Sequence, residues 1–405
     1  MTTETDPAGP LAGLRVLELA HFVAAPFATR LLADLGAEVI KVEPPTGDPV
    51  RQWGARHRNA SLWWSVHGRN KRSITLDLKK PEARQVVFDL VRHCDALVEN
   101  FRPGQLDRLG LTAAALRAAR PDLVIGRISG YGQDGPGRDR AAFGVIGEAV
   151  GGLRYLTDHA PGTANLPPVR VGVSLGDSLA GIYAALGVVA ALLRRERRGG
   201  GGDVDVALSE SVLSLLEGTL PEYGALGLVR QPSGGGVASA VPTDAYRTQD
   251  GIWMLIAANS DPLFRKLAGA MGQPALADDP RFANNQGRVA NRVELDGLIG
   301  AWTRALDAAA LEAALGDADV PHTRVFTIAD VAADAQFRAR GMVQSVEDPL
   351  LGPVLHPGVV PRIDRTPIAP RSTGPTLGAD TDAVLTDLLG YDAARIAALR
   401  QAGVL

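Results

Sequence analysis

Gly172-Val173-Ser174-Leu175-Gly176 spells GxSxG, the pattern of a turn that lifts a nucleophilic serine between a strand and a helix. A pattern this short arises by chance in a chain with 46 glycines. In an elbow the helix should begin at the serine, whereas here Gly176 and Asp177 intervene. His322 or His356 would have to complete a Ser…Asp…His order, and neither has a supporting motif. Asp177 is the second candidate nucleophile. It precedes Ser178 and the apolar stretch AGIYAALGVVAALL. A carboxylate at a helix N-terminus faces unpaired N–H groups and the positive end of the dipole, so its ionised form is favoured. An ionised carboxylate can attack an acyl carbonyl or a thioester, and Gly176 and Gly181 would let a substrate approach. The bland alternative, an N-cap aspartate, fits the same local pattern.

Other chemistries find little support. The first strand–turn–helix reads AHFVAAP at its turn, without the glycines that bring a backbone close to a dinucleotide pyrophosphate. No GxxxxGK[ST] occurs. The seven histidines, His21, His57, His67, His93, His159, His322 and His356, are not paired at HxH or HExxH spacing, so no metal site is expected. A single cysteine, Cys94, rules out an internal disulfide and fits a reducing cytoplasm. The RRERR run at Arg194–Arg198 suits a solvated helix C-terminus.

These residues need a scaffold, and the apolar pattern outlines one. LRVLEL (14–19), EVIKVE (38–43), RSITLDL (72–78), ALVEN (96–100) and DLVIGRIS (122–129) read as short buried strands. Helices alternate with them, one opened near Pro26 and one at Pro81. Such alternation predicts a mostly parallel, doubly wound sheet. VRVGV (169–173) and DVDVAL (203–208) read as further strands, and Ser209 as the cap of the helix after them. The glycines at 199–202 stop the long helix.

At about 100–200 residues per domain, 405 residues make two or three domains. A net charge of −3 disfavours a general nucleic-acid binder. The polar first ten residues carry no basic segment typical of a secretory leader. The apolar run Ala180–Leu193 is too short to span a bilayer and is closed by arginines, so no membrane partner is expected. Composition shifts near Pro221–Pro242, and IWMLIAA (252–258) starts a mixed region. From His322 the chain is rich in proline, Pro349 to Pro375 with Pro367 among them, before two short terminal helices.

With these pieces in hand, the chain resembles the family III CoA-transferases, the group that includes carnitine and formyl-CoA transferases. The resemblance runs nearly end to end. It is carried by residues 13–45, NKRSITLDL (70–78), LVENFRPG (97–104), GYGQDGPG (130–137), LGDSLAG (175–181), DPRFANNQGRVANR (279–292), FRARGMV (337–343) and LGADTDAVLTDLLGY (377–391). It implies a large Rossmann-like doubly wound α/β domain formed by both chain ends, residues 1–200 and 322–405. A smaller inserted α+β domain, residues 223–321, would follow a linker at 201–222. Two chains would interlock as a homodimer.

The resemblance places the nucleophile on Asp177, with coenzyme A as cosubstrate and no metal. Acyl-CoA would give an aspartyl anhydride and then an aspartyl-CoA thioester, from which a carboxylic acid acceptor takes the CoA. The glycine loop that binds the oxyanion falls on Gly234, Gly235 and Gly236. The CoA contacts fall on Val23, Ala24, Leu76, Asp77, Leu78, Lys79, Asn100, Phe101, Arg102, Arg108 and the stretch Ala141 to Gly144, which includes Phe143. Arginines suit phosphates. The sequence departs from the family at Val23, where some members have glutamine, and at Pro44, where some have arginine. Phe143-Gly144 replaces a Tyr-Asp or Tyr-Glu pair, and Asp380 replaces a histidine. The related α-methylacyl-CoA racemases need a histidine near position 143, and Phe143 carries no proton. Transferase is therefore the leading reading, with racemase, serine hydrolase or an inactive CoA-binding relative as alternatives.

Overall fold

The computed structural model describes residues 9–363 and 368–405; residues 1–8 of the leader reading and Pro367 of the proline-rich tail lie outside them. The chain forms two compact units. The first comprises residues up to Arg154, Val171–Pro221 and Ala335–Leu405, and the second Tyr155–Arg170 and Glu222–Asp334. The second unit thus takes in a short early segment and runs past residue 321.

The first unit is built on six strands, β1 (Arg15–Leu19), β2 (Glu38–Glu43), β3 (Lys71–Thr75), β4 (Ala96–Glu99), β5 (Val124–Ser129) and β6 (Gly202–Ala207). They lie in the order β3-β2-β1-β4-β5-β6, and every neighbouring pair is parallel. The apolar side chains of β1 to β5 are buried in clusters on the two faces of the sheet, while the edge strand β6 is buried only at its end. This order reverses direction between β1 and β4. The carboxyl ends of those two strands open a crevice, the usual ligand position in such sheets.

Helix α1 (Ala24–Asp34) follows β1. It begins two residues before Pro26, which sits in the first turn where the missing N–H is not needed. Helix α2 (Pro81–Arg92) starts at its proline as expected. Helix α3 (Gly144–Val150) precedes α4 (Leu175–Arg198), and α5 (Leu208–Leu213) follows β6. One face of α4, through Ala180, Ala184 and Val188, packs with α1 in the core beneath the sheet.

Several local expectations fail for identifiable reasons. Val169–Val173 is not a strand; its residues are exposed and no strand pairs with them. Apolar alternation alone does not make a strand without a ladder to join. Helix α4 is 24 residues long, and by length and composition it is apolar enough to cross a membrane. The 14-residue apolar run therefore understates it. Ile182, Leu186 and Leu193, away from its packed face, are exposed. Ser209 lies inside α5, whose cap position is Ala207, and its hydroxyl instead donates to the Gly130 carbonyl at 3.2 Å.

The second unit carries a three-stranded antiparallel sheet, with β8 (Trp253–Ala257) between β7 (Thr243–Arg247) and β9 (His322–Arg324). Its own core gathers Met254, Ile256, Phe264, Phe282, Leu295 and Ile299. Arg288 is fully buried there, because its guanidinium donates to the carbonyls of Val241, Phe282 and Asn259 and to Asp261.

Candidate active site

The crevice at the switch point begins where β1 ends. Residues 21–24 turn sharply from strand to helix, and Phe22 adopts a left-handed backbone, φ 65°. That conformation is unfavourable for a bulky residue and must be held. Two side chains hold it. Asn100, just past β4, accepts from the His21 N–H at 3.0 Å and donates to the His21 carbonyl at 2.7 Å. Asp48 accepts from the Phe22 N–H at 3.2 Å.

Asp48 is itself fixed by a buried charge network. Lys41 lies 2.8 Å from Asp48 and 2.6 Å from Glu18, which also takes Lys71 at 2.8 Å. Burial raises the Glu18 carboxyl, but the two ammonium groups outweigh it and bring it down to about 2. Burial lowers Lys41, yet Glu18, Asp48 and Glu43 hold it above the usual lysine range. Burial pulls Lys71 down to about 8. The network therefore stays charged under the turn. Burial first, and Lys41 second, depress the His21 imidazole. His21 meets Phe101 edge-on at 5.4 Å between ring centres.

The crevice is a cleft of about 320 Å³. Val23, Ala24, Asn100, Phe101, Arg102, Phe143 and Asp177 line it together, drawn from four separate stretches of chain. Asp177 lies in the first turn of α4 and is half-buried. The cap position belongs to Ser174, so Asp177 is not the N-cap residue. Phe143 stands at the rim, mostly exposed, edge-on to Phe22. Gly144 lies directly behind the nucleophile candidate: a Cβ there would stand 2.2 Å from Asp177 Oδ2.

Leu76, Lys79, Arg108 and Ala141, also singled out from the sequence, lie elsewhere in the first unit. Leu76 is buried in the core cluster between the sheet and α2. Lys79, Arg108 and Ala141 are exposed and do not line the cleft. Gly235 and Gly236, in the second unit, lie against the carboxylate of Asp244, which Arg292 holds at 2.7 Å. The sequence reading overlooked His21, Phe22 and Arg140, which also line the cleft. Nothing in the sequence marks Phe22, whose importance lies in a backbone angle. Arg140 lies three residues past the GYGQDGPG motif. It stacks over Tyr131 at 4.8 Å and leaves the mouth of the cleft with two guanidinium groups, its own and that of Arg102.

Glu99, at the end of β4, accepts from the Phe101 N–H at 2.7 Å. Burial pushes its carboxyl up to about 7 against the opposing effects of that N–H and Arg127. Burial likewise pushes the Cys94 thiol up to about 12, so it is no nucleophile at neutral pH. Ser174 has no hydrogen bond to a histidine among the described residues. His356 instead meets Ser65 at 2.8 Å, and His322 the Val320 carbonyl. A triad has no base here. A larger hollow of about 650 Å³ is lined by Arg51, Arg56 and Arg371 together with Glu347, Asp348 and Asp380, and does not include Asp177.

A doubly wound parallel sheet with a carboxylate and two arginines around its switch-point cleft defines the chain as an α/β protein with a candidate site for acyl-group chemistry. Comparison with known proteins makes this specific. The profile of CoA-transferase family III matches residues 11–381. The chain belongs to that family, whose members move CoA between an acyl-CoA and a carboxylic acid. It is 47% identical over 401 residues to a succinyl-CoA–D-citramalate CoA-transferase of Chloroflexus aurantiacus, covering 98% of this chain and 99% of that protein. It is 37% identical over 400 residues to the alpha subunit of a succinyl-CoA–L-malate CoA-transferase from the same species, covering 98% and 92%. Among solved structures it is similar to a CAIB/BAIF family protein from Brucella suis, with a TM-score of 0.82, 35% identity and coverage of 94% and 99%.

Proposed function

We propose that the enzyme transfers CoA through covalent intermediates on Asp177, with succinyl-CoA as donor and a small hydroxylated dicarboxylic acid as acceptor. The observation that carries this reading is the position of Asp177, in the first turn of α4 and in the wall of the switch-point cleft. In the first step its carboxylate oxygen attacks the thioester carbonyl, a C–O bond forms, the C–S bond breaks and CoA leaves as thiolate. The thiolate attacks the Asp177 carbonyl of the resulting anhydride and expels the donor carboxylate. The acceptor carboxylate then attacks the aspartyl-CoA thioester and displaces the thiolate, which takes the acceptor's acyl group and frees Asp177. Every step exchanges one acyl bond for another, so no proton donor is needed and the thioester's energy is kept.

Each tetrahedral intermediate requires hydrogen-bond donors for its oxyanion. The resemblance assigns these to the loop of Gly235 and Gly236. Arg102 and Arg140 have the chemistry to bind CoA phosphates or a distal carboxylate. The choice of acids rests on the substrates for which the relatives are named. The inserted-domain layout, the homodimer and the cytoplasmic location remain part of the proposal. Exposed apolar side chains on α4 support a partner surface, and the single cysteine suits a reducing compartment. Racemase chemistry is disfavoured because Phe143, at the cleft rim, has no proton to exchange.

The test is to incubate the enzyme with succinyl-CoA, quench with hydroxylamine and map the modification by mass spectrometry. A hydroxamate on Asp177, together with loss of exchange in Asp177→Ala, is expected. Exchange that persists in Asp177→Ala overturns the mechanism.

A further inference from the structure

We propose that α3 is the seat of the nucleophile: Gly144 makes the space in which the Asp177 carboxylate lies, and Glu148 holds the turn of α4 that carries it. This inference rests on Asp177 being the nucleophile.

Gly144 and Glu148 are one helical turn apart and share a face of α3. Both are buried, Glu148 to 2% exposure. A Cβ on Gly144 would meet Asp177 Oδ2 at 2.2 Å, Cγ at 2.5 Å and Oδ1 at 2.9 Å. All three contacts are shorter than real Cβ atoms show, so even alanine would expel the carboxylate from its place. The contact continues into the backbone. A Cβ on Gly176, the residue before Asp177, would stand 2.9 Å from the Gly144 carbonyl oxygen and 3.2 Å from Glu148 Cγ. The two helices therefore meet almost backbone to backbone at this point.

Glu148 adds a specific bond. Its Oε1 accepts from the Gly176 N–H at 3.2 Å. That N–H is one of the donors that a helix start leaves without an intrahelical acceptor. Ser174, in the cap position, makes no side-chain capping bond. A carboxylate from a neighbouring helix thus does what a cap would do, and it fixes the backbone one residue from the attacking group. Arg154 lies 3.9 Å from its other oxygen. Glu148 is absent from the cleft wall, so it acts through Asp177 as a positioning residue.

The experiment measures steady-state CoA exchange and hydroxylamine trapping at Asp177 for wild type, Glu148→Gln, Glu148→Ala, Gly144→Ala and Asp177→Ala. Thermal melting accompanies each. Glu148→Ala and Gly144→Ala are expected to lower kcat about a hundredfold with KM for the acyl-CoA almost unmoved, because a displaced nucleophile slows reaction without weakening binding. Glu148→Gln keeps an oxygen for the Gly176 N–H and should recover at least about tenfold of that loss. The proposal is overturned if Glu148→Ala keeps the wild-type kcat, if Glu148→Gln falls as far as Glu148→Ala, or if KM carries the effect. An active Asp177→Ala would instead overturn the nucleophile itself. Wild-type trapping at Asp177 in Glu148→Ala, at the wild-type rate, would remove only the seat.

Discussion

Replacing Asp48 should damage both stability and the cleft, by amounts that can be worked from its partners. Asp48 is 2% exposed and lies 2.8 Å from the Lys41 ammonium. It also accepts from the N–H groups of Phe22 at 3.2 Å and Val50 at 2.9 Å. Breaking a buried ion pair from one side costs about 3–5 kcal/mol. Lys41 keeps Glu18 at 2.6 Å and the Ala20 carbonyl at 2.8 Å, so about 3 kcal/mol applies. Two backbone donors losing their acceptor add about 1 kcal/mol or more. Asp48→Ala should therefore lose about 4 kcal/mol in urea unfolding. Asp48→Asn, which keeps an oxygen for the N–H groups, should lose about 2–3 kcal/mol.

The second readout is the substrate. Phe22, no longer held left-handed, lines the cleft with Val23, so KM for the acyl-CoA should rise in both variants. An exposed pair, Lys266–Asp319, is the control. Lys266→Ala should leave the urea midpoint almost unmoved. If Asp48→Ala costs no more than that control, the network does not hold the turn and the reasoning fails.

Two further outcomes follow from burial. The Glu99 carboxyl is raised from 4.5 to about 7 in the folded protein. Its contribution to stability is thus fully present below pH 4.5 and is lost as pH rises through about 7. Glu99→Gln should gain on the wild type by about 3 kcal/mol between those limits, and a pH-independent difference in denaturation midpoints would refute this. Cys94 is completely buried with its thiol pushed up to about 12, so a chromogenic disulfide reagent should leave it untouched until the protein is unfolded in urea. Prompt labelling of the native protein would contradict the buried, neutral thiol.

The sequence by itself determined the local elements and the chemistry on offer. Strands such as EVIKVE and the helix opened at Pro81 form where pattern and proline placed them. The resemblance carried by LGDSLAG and its companion motifs pointed to Asp177, and to Val23, Asn100, Phe101 and Arg102, which share one cleft. Local pattern failed at Val169–Val173, since a strand exists only where another strand accepts its hydrogen bonds.

Tertiary structure decided the rest. Strand order, and with it the switch point between β1 and β4, is a choice of neighbours that no single segment encodes. Asn100 clamps His21 across 79 residues, and Glu148 reaches Gly176 across 28. Gly144 reads as a lost acidic contact in the sequence, but in the fold it is the space for a carboxylate. Close approach depends on where two helices meet, and that is fixed only when the whole sheet has assembled.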